Sequence, residues 1–347
     1  MISENIFSLT NNYSGNHNYI MSLIDRWHRH LNYLRVSITD RCNLRCIYCQ
    51  TGSVFQKQHH DDILRYEEIL RIIKAGIELG ITKIRITGGE PLVRRGVFKF
   101  LKEVSRLEGL EDISFTTNGV KLKWHIKDIL GVNIKRINVS LDTLNPEKYV
   151  TITGADRWHQ VWDGLIAAHE SGIYPIKLNV VAMNGINDDE WLSFANLIRK
   201  YPFWVRFIEL MPVGDKELAS KHWVSTDIIK KTIESGIGPL IPLEKQFHDG
   251  PADRYKIDGC KGEIGFIHAL SHHFCSTCNR LRLTANGTLR SCLLSDQKIY
   301  LKPLLRNNCS NEEIKKQFMT AVKQKPMSHH NHPYQTACSE HMISIGG

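Results

Sequence analysis

The stretch Cys42-Asn-Leu-Arg-Cys46-Ile-Tyr-Cys49 decides how the rest of the chain is interpreted, because it places three thiols close together. It directly follows residues 34–38, a run that predicts a β-strand. Three thiolates at this C-x3-C-x2-C spacing satisfy three irons of a four-iron cluster and leave the fourth iron open. An open iron can bind a ligand and pass an electron to it, whereas a fully ligated cluster only relays electrons. The alternative is a structural zinc site, which usually needs four ligands in two pairs.

Length and composition indicate an ordinary folded protein. The 347 residues suit one large α/β domain with an appendage, or two domains. They are 42% hydrophobic and 23% charged, which argues against disordered and fibrous classes. No apolar run approaches the ~20 residues of a membrane span, and residues 1–25 show neither a secretory nor a mitochondrial leader pattern. We therefore expect a cytoplasmic protein that does not bind membranes.

The cysteine usage and the net charge narrow the chemistry. Six of the nine cysteines fall in two groups of three, and Cys260, Cys309 and Cys338 stand alone, with structural or incidental roles expected. In a cytosolic protein such grouping indicates metal or redox work rather than disulfides. The formal charge is +9, but the chain has no compact block of Lys and Arg and no RNA-binding aromatic motif. We expect a polyanionic small molecule as the partner, and no nucleic acid.

Short alternating runs and helical stretches follow one another through the first two thirds of the chain. The predicted strands span residues 34–38, 83–87, 113–116, 136–140, 176–180 and 205–210. Predicted helices between them span residues 66–79, 97–107, 157–171 and 188–200. Strands that alternate with helices predict βαβ units and a parallel sheet. Six such units are two short of a closed eight-stranded barrel, so we expect a partial barrel.

Five of these strands have one apolar face and one polar face, although buried parallel strands are normally apolar on both. The polar faces carry cations: Arg35, Lys83, Arg85, Arg136 and Lys177. Burying an unpaired charge costs about 3–5 kcal/mol, so an anion, best a polyphosphate, is expected inside the barrel. The alternative is an antiparallel sheet with one wet face. In the sixth strand Arg206 shares parity with Ile208 and Leu210, which leaves its register open.

Unusual residues cluster where the predicted strands end, which is where sites lie in such barrels. The cysteine loop follows the first strand. The later strand ends carry Gly88-Gly89-Glu90-Pro91, Thr117-Asn118-Gly119, Ser140-Leu141-Asp142 and Glu209-Leu210-Met211-Pro212. The paired glycines allow a close backbone approach to a ligand, although alone they are more often a plain turn.

A second cysteine group, Cys275, Cys278 and Cys292, lies beyond residue 243, where the strand and helix alternation ends. Its spacing, C-x2-C-x13-C, fits zinc and iron-sulfur equally well, and Cys309, His272 or His273 could complete a zinc site. Arg280 and Arg282 share one side of an extended segment. They would either neutralise the charge of the thiolates or bind a phosphate. The phosphate role is favoured, because a guanidinium group can bind phosphate through two hydrogen bonds.

These motifs resemble the radical S-adenosylmethionine (SAM) enzymes and, among them, the GTP 3',8-cyclases of molybdenum cofactor biosynthesis. The resemblance covers about residues 25–347. It is carried by both cysteine groups and by four further motifs: Thr87-Gly-Gly-Glu-Pro91, Arg206-Phe-Ile-Glu-Leu-Met-Pro212, Phe274-Cys-x-x-Cys-Asn-Arg-Leu-Arg282 and the terminal Gly346-Gly347. The departures are Gln50-Thr51 after the first group, in place of an apolar residue and Pro, and His268-Ala269 in place of Ser-Pro. The pairs His272-His273 and His329-His330 are unexpected and are interpreted as solvated.

The resemblance implies an α/β fold: a partial (β/α)6 radical-SAM barrel over residues 25–243, after a loose leader over residues 1–24. Residues 244–347 would form a C-terminal extension that carries a second iron-sulfur cluster and covers the barrel mouth. It implies two [4Fe-4S] clusters, the first on Cys42, Cys46 and Cys49 and the second on Cys275, Cys278 and Cys292. SAM would contact Tyr48, Gly89, Ser140 and Met211. GTP would contact Arg35, Arg85, Thr116, Lys177, Arg280 and Arg282, with the Gly346-Gly347 tail inserted toward the site.

The implied reaction is conversion of GTP to 3',8-cyclo-7,8-dihydroguanosine 5'-triphosphate, in which a 5'-deoxyadenosyl radical takes the ribose C3' hydrogen. A cyclic pyranopterin monophosphate synthase would consume the product, a flavodoxin or ferredoxin would supply the electron, and a homodimer is compatible with the family. The alternative reading is a radical SAM peptide-modifying enzyme with an auxiliary cluster. A zinc-stabilised binding protein without catalysis is the reading from a different class.

Overall fold

The computed structural model describes residues 22–50, 58–132, 134, 136–245, 249–329 and 340–346. Most of the predicted leader, together with Thr51, His330, Cys338 and Gly347, lies outside these ranges. Leu23 and Asp25, at the start of the described chain, are buried. The predicted boundary at residue 24 stays a prediction, because most of the leader lies outside the described residues.

The structure contains the six predicted strands, with bounds that differ from the prediction by no more than two residues. They are β1 (Tyr33–Ser37), β2 (Lys83–Thr87), β3 (Asp112–Thr117), β4 (Ile137–Ser140), β5 (Ile176–Ala182) and β6 (Trp204–Glu209). Six further strands follow in the described part of the chain. They are β7 (Ile241–Pro242), β8 (Asp253–Lys256), β9 (Glu263–Ile267), β10 (Arg280–Leu283), β11 (Thr288–Arg290) and β12 (Ile299–Tyr300).

Helices connect the first six strands, and the four predicted ones are present. The helices up to the end of the barrel are α1 (Tyr66–Glu78), α2 (Val97–Val104), α3 (Ile126–Leu130), α4 (Pro146–Thr153), α5 (Trp158–Glu170), α6 (Trp191–Lys200), α7 (Lys216–His222) and α8 (Thr226–Gly236). The C-terminal region adds α9 (Lys302–Arg306), α10 (Asn311–Lys323) and α11 (Met342–Ile345). No helix among the described residues has the length and apolarity needed to cross a membrane.

The strands form one sheet in the order β12-β11-β10-β1-β2-β3-β4-β5-β6-β9-β8-β7. Neighbouring strands from β10 through β1 to β6 and on to β9 are parallel. This excludes the antiparallel alternative. The late strands β9 and β10 extend the parallel sheet at its two edges. The sequence did not predict this, because strands and helices no longer alternate after residue 243. The division at residue 243 remains a prediction, since the sheet itself runs across it.

The two faces of the sheet differ as the alternation of side chains predicts. Leu34, Val36, Ile84 and Ile86 are fully buried in the main hydrophobic core, which also includes Ile69, Ile72 and Ile73 of α1. We call the opposite face of the sheet the inner face. Arg35, Arg85 and Arg282 stand side by side on it, because Arg35 is in register with both of the others.

The register of strand β6, left open by the sequence, is fixed by its neighbours. Arg206 is in register with Asn179 of β5 and donates to its side-chain oxygen at 2.6 Å and to that of Asn138 at 2.7 Å. Val205 and Phe207, of opposite parity, are buried in the core. Arg206 therefore belongs to the inner face.

Candidate active site between two cysteine groups

The first cysteine group lies in the loop after β1, at the carboxyl edge of the parallel sheet. Main-chain hydrogen bonds hold this loop on two sides. Arg45 and Ile47 donate to the Thr153 and Ile152 carbonyls at the end of α4, at 2.7 and 3.0 Å. Gly89 donates to the Thr39 carbonyl at 2.6 Å. The thiols are thus positioned by a loop whose backbone is anchored by hydrogen bonds within the protein.

The glycine pair after β2 serves this loop. A Cβ on Gly89 would overlap the Arg41 carbonyl, and one on Gly88 would lie 2.8 Å from the Thr39 oxygen. The close approach expected toward a ligand is thus made, in the protein itself, toward the backbone of the cysteine loop. Glu90 links this turn to the end of β3, because its carboxylate accepts hydrogen bonds from Leu92, Thr117 and Asn118 at 2.6–2.9 Å. Burial raises the pKa of Glu90 to about 7.

The three thiols of the first group have raised pKa values. Burial raises the pKa of Cys42 and Cys46 and raises that of Cys49 to about 12; the neighbouring thiols add to the rise for Cys46 and Cys49. Charged thiolates there need a cation between them, which is what iron supplies. The donor set of three partly buried thiols therefore fits a cluster with one open iron. Among the described residues, no three Cys, His, Asp or Glu side chains are arranged to hold a single metal ion.

The residues predicted to contact SAM all lie around this carboxyl edge. The Tyr48 hydroxyl donates to Asp142 at 2.6 Å, and Asp142 accepts from the Val181 N–H at 2.8 Å. Burial raises the pKa of Asp142 to about 6. Ser140 ends β4 on the inner face, and Met211 follows β6. The sequence marked Asp142 as a strand-end residue, but not as the partner of Tyr48.

The arginines of the inner face lie in an environment that disfavours their charge. Burial and the neighbouring Arg282 lower the pKa of Arg35, and burial followed by Arg280 lowers that of Arg282 to about 10. The Nε of Arg35 and the Oγ1 of Thr116 are buried without a hydrogen-bond partner among the described residues. Buried polar atoms are rarely left unsatisfied. These unpartnered atoms and the converging charge together make the inner face suited to an anionic ligand.

Two of the five cations expected to require that anion are neutralised by the protein itself. Asp112, the first residue of β3, forms an ion pair with Arg136 and another with Lys83, whose Nζ lies 3.3 Å from its Oδ2. Although burial opposes it, Arg136 and Lys83 lower the pKa of Asp112. The prediction that Lys83 and Arg136 need a bound anion was therefore wrong. The predicted strand began at residue 113, so the Asp112 carboxylate was not recognised as part of it.

Lys177 and Arg206 extend the cationic surface to β5 and β6. The Lys177 ammonium lies 4.1 Å from the centre of the Trp204 ring, and the Arg254 guanidinium lies 4.4 Å from the same centre. Burial, followed by the nearby Arg206, lowers the pKa of Lys177 to about 6. Arg206 was quoted in a sequence motif but was not predicted to bind substrate. Its side-chain parity gave no clear signal, because Ile208 and Leu210 share it; the pairing with β5 is what places Arg206 on the inner face.

The second cysteine group lies at the other end of the inner face. Cys275 and Cys278 precede β10, which runs parallel to β1, and Cys292 follows the antiparallel strand β11. The first group instead follows the carboxyl end of β1. The four residue steps from Tyr33 to Ser37 correspond to roughly 13 Å at about 3.3 Å per residue. The arginine row thus lies between two thiol groups at opposite ends of the strands.

The surroundings of the second group are cationic. Although burial opposes it, Arg280 and Lys325 lower the pKa of the Cys278 thiol to about 6. The donor set of three thiols again fits a cluster with an open iron. Cys309, proposed as a spare ligand, packs instead in the main core, and His272 bonds to Asp227 at 2.8 Å. His329, interpreted as solvated, places its Nδ1 3.1 Å from the Cys275 sulfur.

The C-terminal segment reaches the same space. Arg282 donates to the Gly346 carbonyl at 3.1 Å, and the Ile343 N–H donates to the Cys49 sulfur. A Cβ on Gly346 would lie 2.7 Å from both the Ser37 Cβ and the Thr87 Oγ1. The segment therefore lies against the inner face near the first cysteine group. The role of Gly346 and Gly347 stays a prediction, and Gly347 lies outside the described residues.

Comparison with known proteins agrees with this arrangement. The Radical SAM superfamily matches residues 36–198, and the family described as Molybdenum Cofactor Synthesis C matches residues 203–331. The GTP 3',8-cyclase of Thermodesulfovibrio yellowstonii is 46% identical over 327 residues, which cover 93% of this chain and 99% of that protein. The chain belongs to the GTP 3',8-cyclase family. The GTP 3',8-cyclase of Petrotoga mobilis is also 46% identical, over 94% of this chain and 100% of that protein.

Solved structures show the radical SAM fold at lower identity. Streptococcus suis SuiB bound to S-adenosylmethionine has a TM-score of 0.61 and 13% identity, and covers 91% of this chain and 72% of that one. The predicted fold class is thereby confirmed as a radical SAM α/β sheet with a C-terminal extension. As members of the radical SAM superfamily, GTP 3',8-cyclases use a [4Fe-4S] cluster and SAM. The placement of this cluster on the first cysteine group stays a prediction.

Proposed function

We propose that this protein converts GTP to 3',8-cyclo-7,8-dihydroguanosine 5'-triphosphate, the first step of molybdenum cofactor biosynthesis. The observation that carries the proposal is the row of inner-face arginines between two groups of three thiols. A triphosphate is the anion that best matches several converging guanidinium groups, since each can bind phosphate through two parallel hydrogen bonds. The names of the curated relatives support the same substrate.

Cys42, Cys46 and Cys49 would hold the first cluster, and Tyr48, Gly89, Ser140 and Met211 would surround SAM at its open iron. The chemistry supplied at this site would be reductive cleavage of SAM to a 5'-deoxyadenosyl radical, which would abstract the C3' hydrogen of the GTP ribose. The protein's own contribution is positioning and exclusion of water, not acid–base chemistry. The Gly89 backbone and the Tyr48–Asp142 hydrogen bond keep the walls of this end rigid.

The triphosphate would lie along Arg35, Arg85, Thr116, Lys177 and the Arg280–Arg282 pair. The unpartnered Nε of Arg35 and Oγ1 of Thr116 supply donors that such a ligand would satisfy. Arg206, held by Asn138 and Asn179, would add a further donor. Cys275, Cys278 and Cys292 would hold a second [4Fe-4S] cluster, whose open iron would meet the guanine base. The tail at Gly346 would close the space beside the first cluster.

Outside the site, a cyclic pyranopterin monophosphate synthase would take up the product, and a flavodoxin or ferredoxin would supply the electron. Cysteines grouped in threes are more typical of metal or redox sites than of disulfides, which fits a cytoplasmic setting. A homodimer is compatible with this role.

Anaerobic incubation of the reconstituted protein with SAM, dithionite and GTP tests the proposal. We expect 5'-deoxyadenosine together with an isomer of GTP mass. Arg282→Ala should reduce formation of the isomer while SAM cleavage persists, and the exposed Arg106→Ala serves as the matched control. Deoxyadenosine that forms only with an added peptide would support the peptide-modifying alternative. Zinc without iron would exclude both enzyme functions.

A further inference from the structure

Lys325 is a buried cation that the reaction described above does not use. It follows the last turn of α10, and its N–H donates to the Val322 carbonyl at 3.1 Å. Only 2% of the residue is exposed. A lysine at such a position needs compensation, because a buried ammonium that lacks partners costs several kcal/mol.

The ammonium uses its three N–H groups on three different atoms. Its Nζ lies 2.8 Å from the Arg280 carbonyl, 2.6 Å from the Ser291 carbonyl and 3.7 Å from the Cys278 sulfur. Arg280 begins β10, two residues after Cys278, and Ser291 directly precedes Cys292. One side chain thus ties together the two chain segments that carry the second cysteine group.

The negative charge facing Lys325 comes from sulfur. No carboxylate among the described residues lies within ion-pair distance of its ammonium. Burial lowers the pKa of Lys325, and the Cys278 and Cys292 thiols are the groups that oppose this shift. The carbonyls contribute dipoles but no net charge. A buried ammonium whose counter-charge is a set of thiols fits a place where those thiols are held as thiolates.

The chain around Lys325 is fixed from the opposite side by the start of the barrel. Arg29, paired with Asp25 at 2.6 Å, donates to the carbonyls of Pro326 and Met327 at 2.7 and 3.1 Å. The same guanidinium donates to the Cys275 carbonyl at 2.6 Å. Lys325 is therefore held in place, with little freedom to leave the sulfur.

We propose that Lys325 is a positioning residue of the second cysteine group: it braces the segments bearing Cys278 and Cys292 and supplies a fixed positive charge beside the cluster that they would hold. This inference rests on the proposed second cluster. A positive charge beside an anionic cluster favours the reduced, more negative state. Loss of that charge should therefore loosen the cluster or make it harder to reduce.

The test compares Lys325→Met, Lys325→Gln and Lys325→Arg in the full chain with Lys323→Met, an exposed lysine at the end of the same helix. Iron and acid-labile sulfide are measured after one anaerobic reconstitution protocol, and each cluster's reduction is followed by electron paramagnetic resonance during a redox titration. We expect Lys325→Met to lose about half of the iron, or to keep it with the second cluster reduced at a lower potential. Lys325→Arg should retain most of the wild-type behaviour.

Full iron content and an unchanged potential in Lys325→Met would overturn the proposal. If that variant does not fold, Lys325→Gln decides: it keeps polar contacts without charge, and a wild-type potential in it overturns the proposal equally. A wild-type protein that binds iron only at the first group would refute the proposed second cluster itself. The two failures are therefore distinguishable without measuring turnover.

Discussion

Replacing Asp112 by Asn removes the carboxylate that neutralises two inner-face cations while keeping the size of the side chain. The Asp112 and Lys83 side chains are 7% and 6% exposed, and that of Arg136 is 14% exposed. Breaking a buried pair by removing one partner costs about 3–5 kcal/mol. At about 2 °C per kcal/mol for a large domain, this corresponds to a fall of roughly 6–10 °C in Tm.

The matched control is Asp163→Asn. Asp163 pairs with Lys123 at 3.0 Å, but both side chains are 56% exposed. Exposed pairs contribute about 0–1 kcal/mol, so this control should shift the Tm by no more than roughly 2 °C. Anaerobic thermal unfolding of proteins with matched iron content measures both variants.

The pH dependence of the effect follows from the lowered pKa of Asp112. A carboxyl group whose pKa is lower in the folded state stabilises the protein above its unfolded pKa, here 3.8, and loses that effect as the pH falls through the folded pKa. The difference between wild type and Asp112→Asn should thus persist at neutral pH and shrink in acid. Inorganic triphosphate should raise the Tm of the variant more than that of the wild type. Equal shifts for Asp112→Asn and Asp163→Asn would refute the buried-pair reasoning.

Three further changes test other parts of the site. Gly346→Ala should cut cyclisation more than tenfold but spare SAM cleavage, because its Cβ would clash with β1 and β2; Gly172→Ala, with the same φ of 79° and open space around it, is the control measured in the same assay. Lys177 should take up a proton when a polyanion binds, because burial and Arg206 lower its pKa to about 6 and a nearby anion would raise it. GTP affinity should therefore weaken as the pH rises above about 6, and calorimetry should show a flatter profile for Lys177→Met. Glu340→Gln removes the carboxylate that accepts a hydrogen bond from Arg290 at 2.7 Å. A loss of about 1.5 kcal/mol should make hydrogen exchange in residues 341–346 roughly tenfold faster. Unchanged exchange would show that the Arg290–Glu340 pair does not hold this segment in place.

The sequence was sufficient wherever the information is local. Spacing marked both thiol groups, and alternation placed Arg35, Arg85 and Lys177 on the correct face of the correct strands. The polar parity of these strands also led to the expectation of an anion, which stays a prediction for these residues and was wrong for Lys83 and Arg136, since Asp112 pairs with both. These features depend on residues near one another in the chain, where a period of two or a short spacing can be read directly.

Contacts between distant segments escaped prediction. Asp112 compensates Arg136 across a strand pair, and Lys325 reaches Cys278 from a helix that carries no cysteine motif. Glu340 meets Arg290 across fifty residues of sequence. Each is an ordinary charged residue whose role depends on which segments meet in the fold. No local pattern distinguishes it from a solvated side chain.

The pairing of β10 with β1 shows how much depends on such a contact. It sets Arg280 beside Tyr33 and Arg282 beside Arg35, and it carries the second thiol group to the end of the strands opposite the first. Because side chains alternate, a slip of one residue would turn both arginines into the core and bring Leu281 and Leu283 onto the inner face. Both leucines are fully buried in the core in the observed register, so the hydrophobic effect opposes the slip. Apolar packing on one face of this strand therefore fixes the cationic chemistry on the other.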